Sequence, residues 1–322
     1  MINDIVRERV EFSPEVIDDQ VLIKTDGFPT YHMANVVDDH LMGITHVIRG
    51  EEWLSSTTKH ILIYKELGWE LPIFAHLPLL LNADRSKLSK RQGDVAVEDY
   101  KEKGYLKEAL INFVALLGWS TSENEEYFNL KDLTEKFSLD RVHKAGAIFN
   151  VEKLDWLNAE HLRKMDKNII LEMFKEELSK SKYSNESYSD DYLLLIIDAM
   201  IERVSFVKEF VENSSYFFER PTTYDETVLK KRWKDDSVSL LEEYVKKLSV
   251  LDNPQKADYE IALKSVAEEA ECGAGRIIHP TRLATSGVGI GPGVYDLLFI
   301  LGKDEVIERI TTALKIIPEL LQ

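Results

Sequence analysis

The sequence predicts an α/β domain followed by mainly α-helical domains, so that helix dominates overall. Short β-rich runs alternate with helical patterns in about the first 85 residues, which is typical of a parallel sheet. The hydrophobic period changes to 3.6 residues after Gly93, and long amphipathic stretches fill roughly the last 160 residues. A chain of 322 residues is long enough for two or three domains with apolar cores.

The first part of the chain alternates between strand and helix signals. VLIKT at 21–25 ends at the turn Asp26-Gly27 and predicts a strand. A helix is predicted from Tyr31 to Val37, and THVIRG at 45–50 predicts a buried strand that leads into a helix at about 54–67. Because ligands of parallel sheets bind at the carboxyl ends of the strands, we expect the site near Arg49 to Trp53.

The second part of the chain carries helix and loop signals. Apolar residues at helical spacing before Gly118 predict a helix, and the polar segment 181–190 predicts a loop. The stretches predicted as helices further on are 192–211, 227–250 and 257–271. The glycine-rich passage 286–296 predicts a loop between helices, since a proline interrupts it and no βαβ unit surrounds it.

Composition limits the classes of protein. The net charge of −17 disfavours a protein that wraps duplex nucleic acid by charge alone, although a local basic face is compatible with it. The single Cys272 cannot form an internal disulfide, and no Cys and His residues have zinc-site spacing. Charges interrupt the N-terminal apolar runs, so we expect a cytoplasmic protein without a membrane segment.

The segment LNADRSKLSKRQGD at 81–94 is the most informative in the chain. It places Lys87, Ser89, Lys90 and Arg91 in a predicted loop, where two lysines three residues apart can converge on one polyanion. Phosphoryl chemistry needs such cations, because its transition state spreads negative charge over non-bridging oxygens. Taken alone, a run of this kind is more often solvated surface.

This run, KLSKR, resembles the KMSKS loop of class I aminoacyl-tRNA synthetases, with Leu88 in place of Met and Arg91 in place of the final Ser. The upstream block DGFPTYHMANVVDDHLMGITHVIRGEEWLSSTTKH at 26–60 resembles the catalytic domain of glutamyl-tRNA synthetases. HLPLLLN at 76–82, GYLKEALINFVALLGWS at 104–120 and FNVEKLDWLN at 149–158 follow in the family's order.

The resemblance implies a division of the chain into three domains. Residues 1–85 would hold the end of an acceptor-binding insertion and the second half of a Rossmann-like nucleotide-binding catalytic fold. Residues 86–165 would form a stem-contact helical domain that starts with the KMSKS-like loop. Residues 166–322 would form a helical anticodon-binding domain of two subdomains that meet at about residue 250.

Tyr31, Asn35 and Arg49 are the predicted contacts of the amino acid L-glutamate. Tyr31 and Asn35 are four residues apart, which puts them on one helical face, and an arginine at a strand end can clamp a carboxylate. By resemblance all three bind glutamate. Without the resemblance they would be interpreted as a packed aromatic, a helix cap and an ion pair of Arg49 with Glu51 or Glu52.

The resemblance also implies an ATP site. It places Glu52, Trp53 and Leu80 beside ATP, although Trp53 alone would also suit a core. The loop contributes Lys87, Leu88, Ser89, Lys90 and Arg91. Lys90, with Lys87 assisting, would stabilise the α-phosphate region and the departing pyrophosphate.

No structural metal is predicted. Magnesium would arrive with ATP and be held mainly by its phosphates. Asp38, Asp39 and His40, with His32 and His46 nearby, lack the spacing of metal ligands, and we expect them to brace the active-site sheet through hydrogen bonds.

Three arginines are candidate contacts of tRNA. By resemblance Arg276 and Arg282 fall in the anticodon-binding region, and Arg203, on a predicted helix at 200–210, aligns with an arginine that reads the third anticodon base in relatives. Each also has the simpler interpretation of a solvated residue on an amphipathic helix.

The resemblance implies ATP-dependent attachment of L-glutamate to its tRNA by a monomeric enzyme. The family's HIGH-type signature is missing, because no His-x-Gly-His occurs. Met1 falls where the family completes the acceptor-binding insertion. We therefore expect a C-terminal fragment that does not form glutamyl-adenylate efficiently alone, and the alternative is a non-catalytic tRNA-binding module.

Overall fold

The computed structural model describes residues 1–13, 15, 17–88 and 96–321. The chain forms two compact units, Met1–Asn158 and Ala159–Gln322. The finer division into three domains stays a prediction.

Unit 1, Met1–Asn158, is built on a four-stranded sheet in the order β2-β1-β4-β3. Its strands are β1 Ile2–Asp4, β2 Glu8–Val10, β3 His46–Gly50 and β4 Ile73–Leu77. The strands β3 and β4 are parallel, with Arg49 opposite His76, and β1 is parallel to β4 but antiparallel to β2. The strand β3 therefore forms one edge of the sheet.

Two helices accompany this sheet, α1 Tyr31–Leu41 and α2 Leu54–Glu66. Together with β3 they confirm the predicted helix from Tyr31, the strand at 45–50 and the helix at about 54–67. The segment β3–α2–β4 is the crossover unit expected of a parallel pair. A 3-10 turn, Glu51–Trp53, joins β3 to α2 and lies at the carboxyl end of the strand.

The predicted strand at 21–25 is wrong. Only Ile23 bridges to Pro29, in a hairpin closed by Asp26-Gly27, where Gly27 has a φ of +85°. Proline has no N–H to donate, so the ladder cannot continue as a regular strand. Two of the three apolar side chains of the run, Val21 and Ile23, are exposed, whereas Leu22 packs against a core cluster.

The rest of unit 1 is mainly helical. A two-stranded parallel sheet pairs β5 Leu80–Leu81 with β6 Ala147–Ile148. The helices are α3 Val97–Lys103, α4 Lys107–Leu116, α5 Leu130–Lys136 and α6 Val151–Arg163, the last of which contains the boundary between the units. The helix predicted before Gly118 is confirmed as α4.

Unit 2, Ala159–Gln322, contains helices and no strand in its described residues. Its helices are α7 Lys167–Lys180, α8 Asp190–Met200, α9 Glu209–Glu212, α10 Glu226–Arg232, α11 Ser237–Ser249, α12 Lys256–Glu269, α13 Gly275–Ser286, α14 Val294–Leu301 and α15 Lys303–Leu320. The predicted loops at 181–190 and 286–296 separate α7 from α8 and α13 from α14.

Two predicted helices of unit 2 are interrupted. Between α8 and α9 the Glu209 carboxylate accepts hydrogen bonds from the backbone N–H of Ser205 at 2.7 Å and of Phe206 at 3.3 Å, in place of helical carbonyls. Between α10 and α11 the Ser237 hydroxyl accepts from the Lys234 N–H at 2.8 Å. Side chains that compete locally for backbone groups therefore break both helices.

In unit 2 one continuous cluster of 21 buried residues joins α10 to α15 and the segments on either side of α10. Tyr244 and Leu241 on α11 are fully buried in it. None of the helices in the described part of the chain is long and apolar enough to span a membrane.

Candidate functional site

The Arg49 guanidinium lies at the end of the edge strand β3, where three elements meet. It donates a hydrogen bond to the hydroxyl of Tyr31, the first residue of α1. Its central carbon lies 4.6 Å from the ring centroid of Trp53 in the 3-10 turn, and the Tyr31 and Trp53 rings are 5.2 Å apart. The fold thus brings together Arg49, Tyr31 and Trp53, which the sequence analysis had assigned to neighbouring ligands.

Arg49 forms no ion pair with any described residue. The two carboxylates that follow it are engaged elsewhere: Glu51 lies 2.6 Å from an Arg7 nitrogen, and Glu52 lies 3.7 Å from Lys87 Nζ. The alternative interpretation of Arg49, an ion pair with Glu51 or Glu52, is therefore not found among the described residues. An arginine held by an aromatic ring and a hydroxyl keeps N–H donors for a carboxylate ligand.

Asn35 lies one turn after Tyr31 on α1, so both face the same side of the helix. Its side-chain oxygen is buried without a hydrogen-bond partner among the described residues. Buried polar atoms are usually paired, so this oxygen marks a place for a donor.

Two histidines lie behind Arg49. His60 Nδ1 is 3.5 Å from Arg49 Nη1, and His60 Nε2 is 2.9 Å from His32 Nδ1. Burial, with Arg49 and His32 adding positive charge nearby, lowers the pKa of His60 to about 4. Burial and the charges of Lys59 and Arg49 also lower the pKa of His32. No role was predicted for His60 from the sequence, because Arg49, His60 and His32 are far apart along the chain and share no spacing.

A cavity of about 440 Å³ opens beside Arg49. It is lined by Arg49, Gly50, Glu52, Leu77, Pro78, Leu79, Leu80, Lys87, Leu88, Val114 and Leu117. Four residues predicted to bind ATP, namely Glu52, Leu80, Lys87 and Leu88, therefore line one cavity with the arginine predicted to bind glutamate. The other predicted loop residues, Ser89, Lys90 and Arg91, lie outside the described residues.

The turn after β3 is held by partners beneath it. A Cβ atom at Gly50 would come 2.2 Å from a Glu52 carboxylate oxygen, the end of a flexible side chain that would have to move aside. The Thr57 hydroxyl lies 3.1 Å from the Trp53 carbonyl oxygen and 2.9 Å from His76 Nε2. This chain of contacts ends at Asp4, 2.6 Å from His76 Nδ1.

The Asp4 carboxyl is buried under the turn. Burial raises its pKa, but hydrogen bonds from His76 and from backbone N–H groups outweigh burial and lower the pKa below its usual range. The carboxylate therefore stays charged at neutral pH and anchors β1 to β4 beneath the site.

The residues near Asp38 that were predicted to brace the sheet differ in their surroundings. Burial raises the pKa of Asp39 although Arg49 opposes the shift, and His40 stacks on Trp69 with ring centroids 3.9 Å apart. Its bracing role stays a prediction. Among the described residues no three His, Cys, Asp or Glu side chains converge in a way that could hold a metal ion.

The three arginines predicted to contact tRNA differ in their surroundings. Arg276 is paired with Asp236 at 2.5 Å. Arg282 is partly buried, and its Nη1 has no hydrogen-bond partner in the described chain. Burial lowers the pKa of Arg282, Tyr216 opposes this shift and Arg203 adds to it, so Arg203 and Arg282 share one electrostatic environment.

Arg203 does not lie on the predicted helix at 200–210. It ends a 3-10 turn, Ile201–Arg203, and the chain becomes extended at Val204. The helix is interrupted there because Glu209 binds the backbone N–H groups of Ser205 and Phe206.

Comparison with known proteins gives two family matches that cover nearly the whole chain. Residues 1–156 match the family of class I tRNA synthetases (E and Q), catalytic domain, and residues 159–314 match an anticodon binding domain. These matches confirm the predicted fold class, a Rossmann-like catalytic part followed by helical domains.

Individual relatives agree with the family matches. The chain is 53% identical over 322 residues to the glutamate–tRNA ligase of Chloroherpeton thalassium and 50% identical over 319 residues to that of Prosthecochloris aestuarii. These alignments cover 97% and 96% of this chain but only 64% and 63% of the relatives.

Solved structures of glutamate–tRNA ligases also superpose on the chain. The crystal structure of the enzyme from Elizabethkingia meningosepticum in complex with its amino acid has a TM-score of 0.90 and 40% identity, and covers 98% of this chain and 66% of its own. The chain thus spans about 64% of the length of the curated relatives that it matches. It belongs to the glutamate–tRNA ligase family of class I tRNA synthetases.

Proposed function

We propose that this chain is the larger part of an enzyme that activates L-glutamate with ATP and attaches it to the tRNA for glutamate. The observation that carries the proposal is Arg49, which is held between Tyr31 and Trp53 without an acidic partner among the described residues and borders the 440 Å³ cavity. The motifs at 26–60, 76–82, 87–91, 104–120 and 149–158, which resemble those of the family and follow in its order, support the same assignment.

In this proposal Arg49 binds a carboxylate of glutamate with two parallel hydrogen bonds. The Tyr31 hydroxyl orients the guanidinium and the amino acid. The unpaired buried oxygen of Asn35 accepts a hydrogen bond from the ammonium group, which is a donor only. The three side chains together would recognise an acidic amino acid by charge and by hydrogen bonding.

ATP would occupy the cavity lined by Glu52, Leu80, Lys87 and Leu88, with Trp53 nearby. A volume of 440 Å³ lies within the range of small-molecule sites. The Lys87–Glu52 ion pair is about half exposed, so phosphates can displace it at little cost in free energy. Magnesium would be bound mainly by the phosphates of ATP.

Lys90 is the proposed catalytic residue, assisted by Lys87, with Ser89 and Arg91 shaping the loop around the phosphates. The support for Lys90, Ser89 and Arg91 is the resemblance of the loop, since they lie outside the described residues. A lysine that meets charge developing on the α-phosphate and the leaving pyrophosphate should affect the rate more than substrate affinity.

We also propose that the chain alone forms little glutamyl-adenylate. Its sequence contains no HIGH-type signature, and unit 1 has a groove of about 640 Å³ that is lined by apolar residues, among them Phe12, Leu22, Met33 and Leu62, and by the charged residues Asp18, Asp19, Lys59 and Glu66. The edge strand β3 is also open, with Ile48 50% exposed. These surfaces suit a further protein segment, which the longer relatives possess.

The test is glutamate-dependent exchange of pyrophosphate into ATP. The chain is assayed alone and with the separately produced N-terminal third of the Chloroherpeton thalassium ligase. We expect exchange only in the mixture, and at least a hundredfold loss with Arg49→Gln, because the charge-assisted hydrogen bonds of the guanidinium to a carboxylate are worth about 3 kcal/mol. A variant of Arg220 in unit 2, Arg220→Gln, is the control and should retain exchange.

Two results would contradict this proposal. Normal exchange by the chain alone would show that the missing signature is not needed. Exchange in the mixture that is unaffected by Arg49→Gln would remove the assigned glutamate site.

A second candidate function is a non-catalytic tRNA-binding module. The closed core of unit 2, with 21 buried residues in one cluster, favours independent tRNA binding by the helical part. Arg203 and Arg282 are the better candidates for contacts, because Arg276 is already neutralised by Asp236.

Binding of tRNA separates these possibilities. Filter binding across a salt series should show an affinity that falls as ionic strength rises. Arg203→Gln and Arg282→Gln should each weaken binding by about 1–3 kcal/mol, whereas Arg276→Gln should change it little. Binding without exchange in the reconstituted mixture would favour the module, and equal effects of all three variants would remove the distinction among the arginines.

We further propose that the protein acts in the cytoplasm as a monomer. Size-exclusion chromatography with light scattering tests the oligomeric state, and a stable dimer would contradict it.

A further inference from the structure

The pair His60 and His32 has no part in the proposed chemistry, yet it contacts the central arginine of the site. His60 is on α2 and only 2% exposed, and His32 on α1 follows Tyr31 directly. His60 Nδ1 is 3.5 Å from Arg49 Nη1, and His60 Nε2 is 2.9 Å from His32 Nδ1. A continuous row of nitrogens therefore runs from Arg49 through His60 to His32.

The chemistry of arginine fixes the direction of every hydrogen bond in this row. A guanidinium only donates, so His60 Nδ1 must accept and cannot carry a proton. A neutral His60 then has its proton on Nε2, which donates to His32 Nδ1. His32 in turn must carry its own proton on Nε2, so one donor-only group determines both tautomers.

We propose that His60 and His32 form a hydrogen-bonded relay that orients the Arg49 guanidinium for the carboxylate of the bound amino acid. His60 is a positioning residue, since it acts through Arg49. The relay is a property of this fold, and only its effect on glutamate affinity rests on the proposed function.

The relay requires both histidines to be neutral, and their surroundings favour this. The groups that face His60 are Arg49, His32, His76 and Lys59, all of them basic. Burial and the charge of Arg49 lower the pKa of His60, and burial with Lys59 and Arg49 lowers that of His32. Each ring can therefore accept at the nitrogen that the relay uses.

The relay adds a third constraint to the arginine. The Tyr31 hydroxyl accepts from Nη2, the Trp53 ring lies 4.6 Å from the central carbon, and His60 Nδ1 lies 3.5 Å from Nη1. Loss of His60 should leave Arg49 in the site but free to rotate, so we expect looser binding of a carboxylate rather than unfolding.

The first experiment uses long-range ¹H–¹⁵N spectra of the histidine rings in the full chain at neutral pH. We expect both His60 and His32 as Nε2–H tautomers. An Nδ1–H tautomer or a protonated ring at either position would overturn the relay. This measurement needs no ligand, so it is independent of the proposed function.

The second experiment compares two substitutions at residue 60. The side-chain oxygen of Asn can stand near the Nδ1 position of histidine, so His60→Asn keeps an acceptor for Arg49, whereas His60→Leu removes it. In ¹⁵N spectra the Arg49 side-chain signals should stay separate in His60→Asn and merge by faster rotation in His60→Leu. Identical Arg49 spectra in both variants would contradict the relay.

The third measurement is L-glutamate affinity by calorimetry, in the chain mixed with the N-terminal third of a relative. We expect Kd to rise about tenfold in His60→Leu and less than about threefold in His60→Asn, as for loss or retention of one hydrogen bond to a charged group. Equal Kd values for His60→Leu and the unsubstituted chain would overturn the positioning role. Failure of the unsubstituted mixture to bind L-glutamate, with the expected tautomers present, would instead count against the proposed function.

Discussion

The two units of the chain differ in how many of their hydrophobic side chains are buried. Of the 57 buried hydrophobic residues in the described chain, 16 lie in unit 1 and 41 in unit 2. Of the 31 exposed large hydrophobic residues, 22 lie in unit 1 and 9 in unit 2. Since the units are similar in length, the difference reflects architecture rather than size.

The arrangement of the cores explains this difference. Unit 2 joins 21 buried residues in one cluster, whereas the small clusters of unit 1 contain three buried residues each, such as Ile2, Ile61 and Phe74. Unit 1 also leaves the edge of β3 open, and large exposed apolar surfaces generally mark places where another surface docks. The helical unit thus has a closed core, while the unit that carries the candidate site is still open at its sheet edge.

The largest expected effect concerns Arg309 in the closed core of unit 2. It is 4% exposed, and its Nη1 donates to the carbonyl oxygens of Tyr216 at 2.7 Å and Thr285 at 2.8 Å, while Nε donates to Glu305. Arg309→Met should lower the free energy of unfolding by about 3–5 kcal/mol, because it leaves buried acceptors without partners. Urea denaturation followed by circular dichroism measures the change.

Arg220 provides the matched control, since it binds the same Glu305 at 2.9 and 2.8 Å but is 54% exposed. Arg220→Met should cost less than about 1 kcal/mol. Equal losses for the two variants would mean that burial does not distinguish these ion pairs.

The second prediction compares the two cores directly. Leu241→Ala in the 21-residue cluster should cost about 3 kcal/mol, and Ile61→Ala in the three-residue cluster about 2 kcal/mol, because a site beside open surface relaxes more easily. Hydrogen exchange of amides within each unit gives the local free energy of opening. A larger loss at Ile61 than at Leu241 would reverse the comparison.

The fold was largely predictable because hydrophobic periodicity determines element type. The pattern identified α1, β3, α2 and the helical character of unit 2. It failed at 21–25, where Pro29 prevents a ladder, and around Arg203, where the Glu209 side chain takes the backbone donors. In both places a single residue changes the local hydrogen bonding. A hydrophobic pattern that is averaged over many residues does not detect such a change.

The candidate site was predictable only where motifs mark it. Arg49, Glu52, Leu80 and Lys87 were found through the resemblance and line one cavity. His60 and Arg7 were missed because their partners are distant in sequence: Arg7 lies 2.6 Å from Glu51, and its Nη1 donates to the Lys144 carbonyl at 2.7 Å. Contacts of this kind depend on tertiary structure and leave no spacing to detect.

The third prediction concerns the pH dependence of unit 1. The folded pKa of His60 is lowered from 6.5 to about 4, so the unfolded chain binds a proton that the folded chain excludes. Stability from this residue is therefore fully present above pH 6.5 and is lost as the pH falls toward 4, by about 1–2 kcal/mol after allowance for solvent screening. Urea denaturation at several pH values measures it.

His60→Asn does not titrate and should flatten the profile in this window. Asp4 acts separately, because its lowered pKa places its loss of stability below pH 3.8. His279→Asn in unit 2 should change the pH dependence of stability less. Burial also lowers the pKa of His279, but the shift is smaller than that of His60. If the pH dependence of the unfolding free energy is the same in His60→Asn, His60 is protonated in the folded chain or does not contribute to that dependence.

The smallest effect on stability is expected on the open surface of unit 1. Leu41 and Met42 are 74% and 75% exposed at the end of α1, and the exposed Ile44 follows them. The double change Leu41→Gln and Met42→Gln should alter the free energy of unfolding by less than about 0.5 kcal/mol, because neither side chain packs in the core. It should nevertheless reduce self-association, measured by light scattering at rising concentration, because neighbouring exposed apolar groups form a patch.

Val250→Gln in unit 2 is the control. Val250 is 82% exposed, but no other exposed large hydrophobic residue is near it in the sequence, so its replacement should leave self-association unchanged. Equal losses of self-association in the two variants would mean that Leu41 and Met42 do not form a patch. The larger number of exposed apolar residues in unit 1 would then not distinguish its surface from that of unit 2.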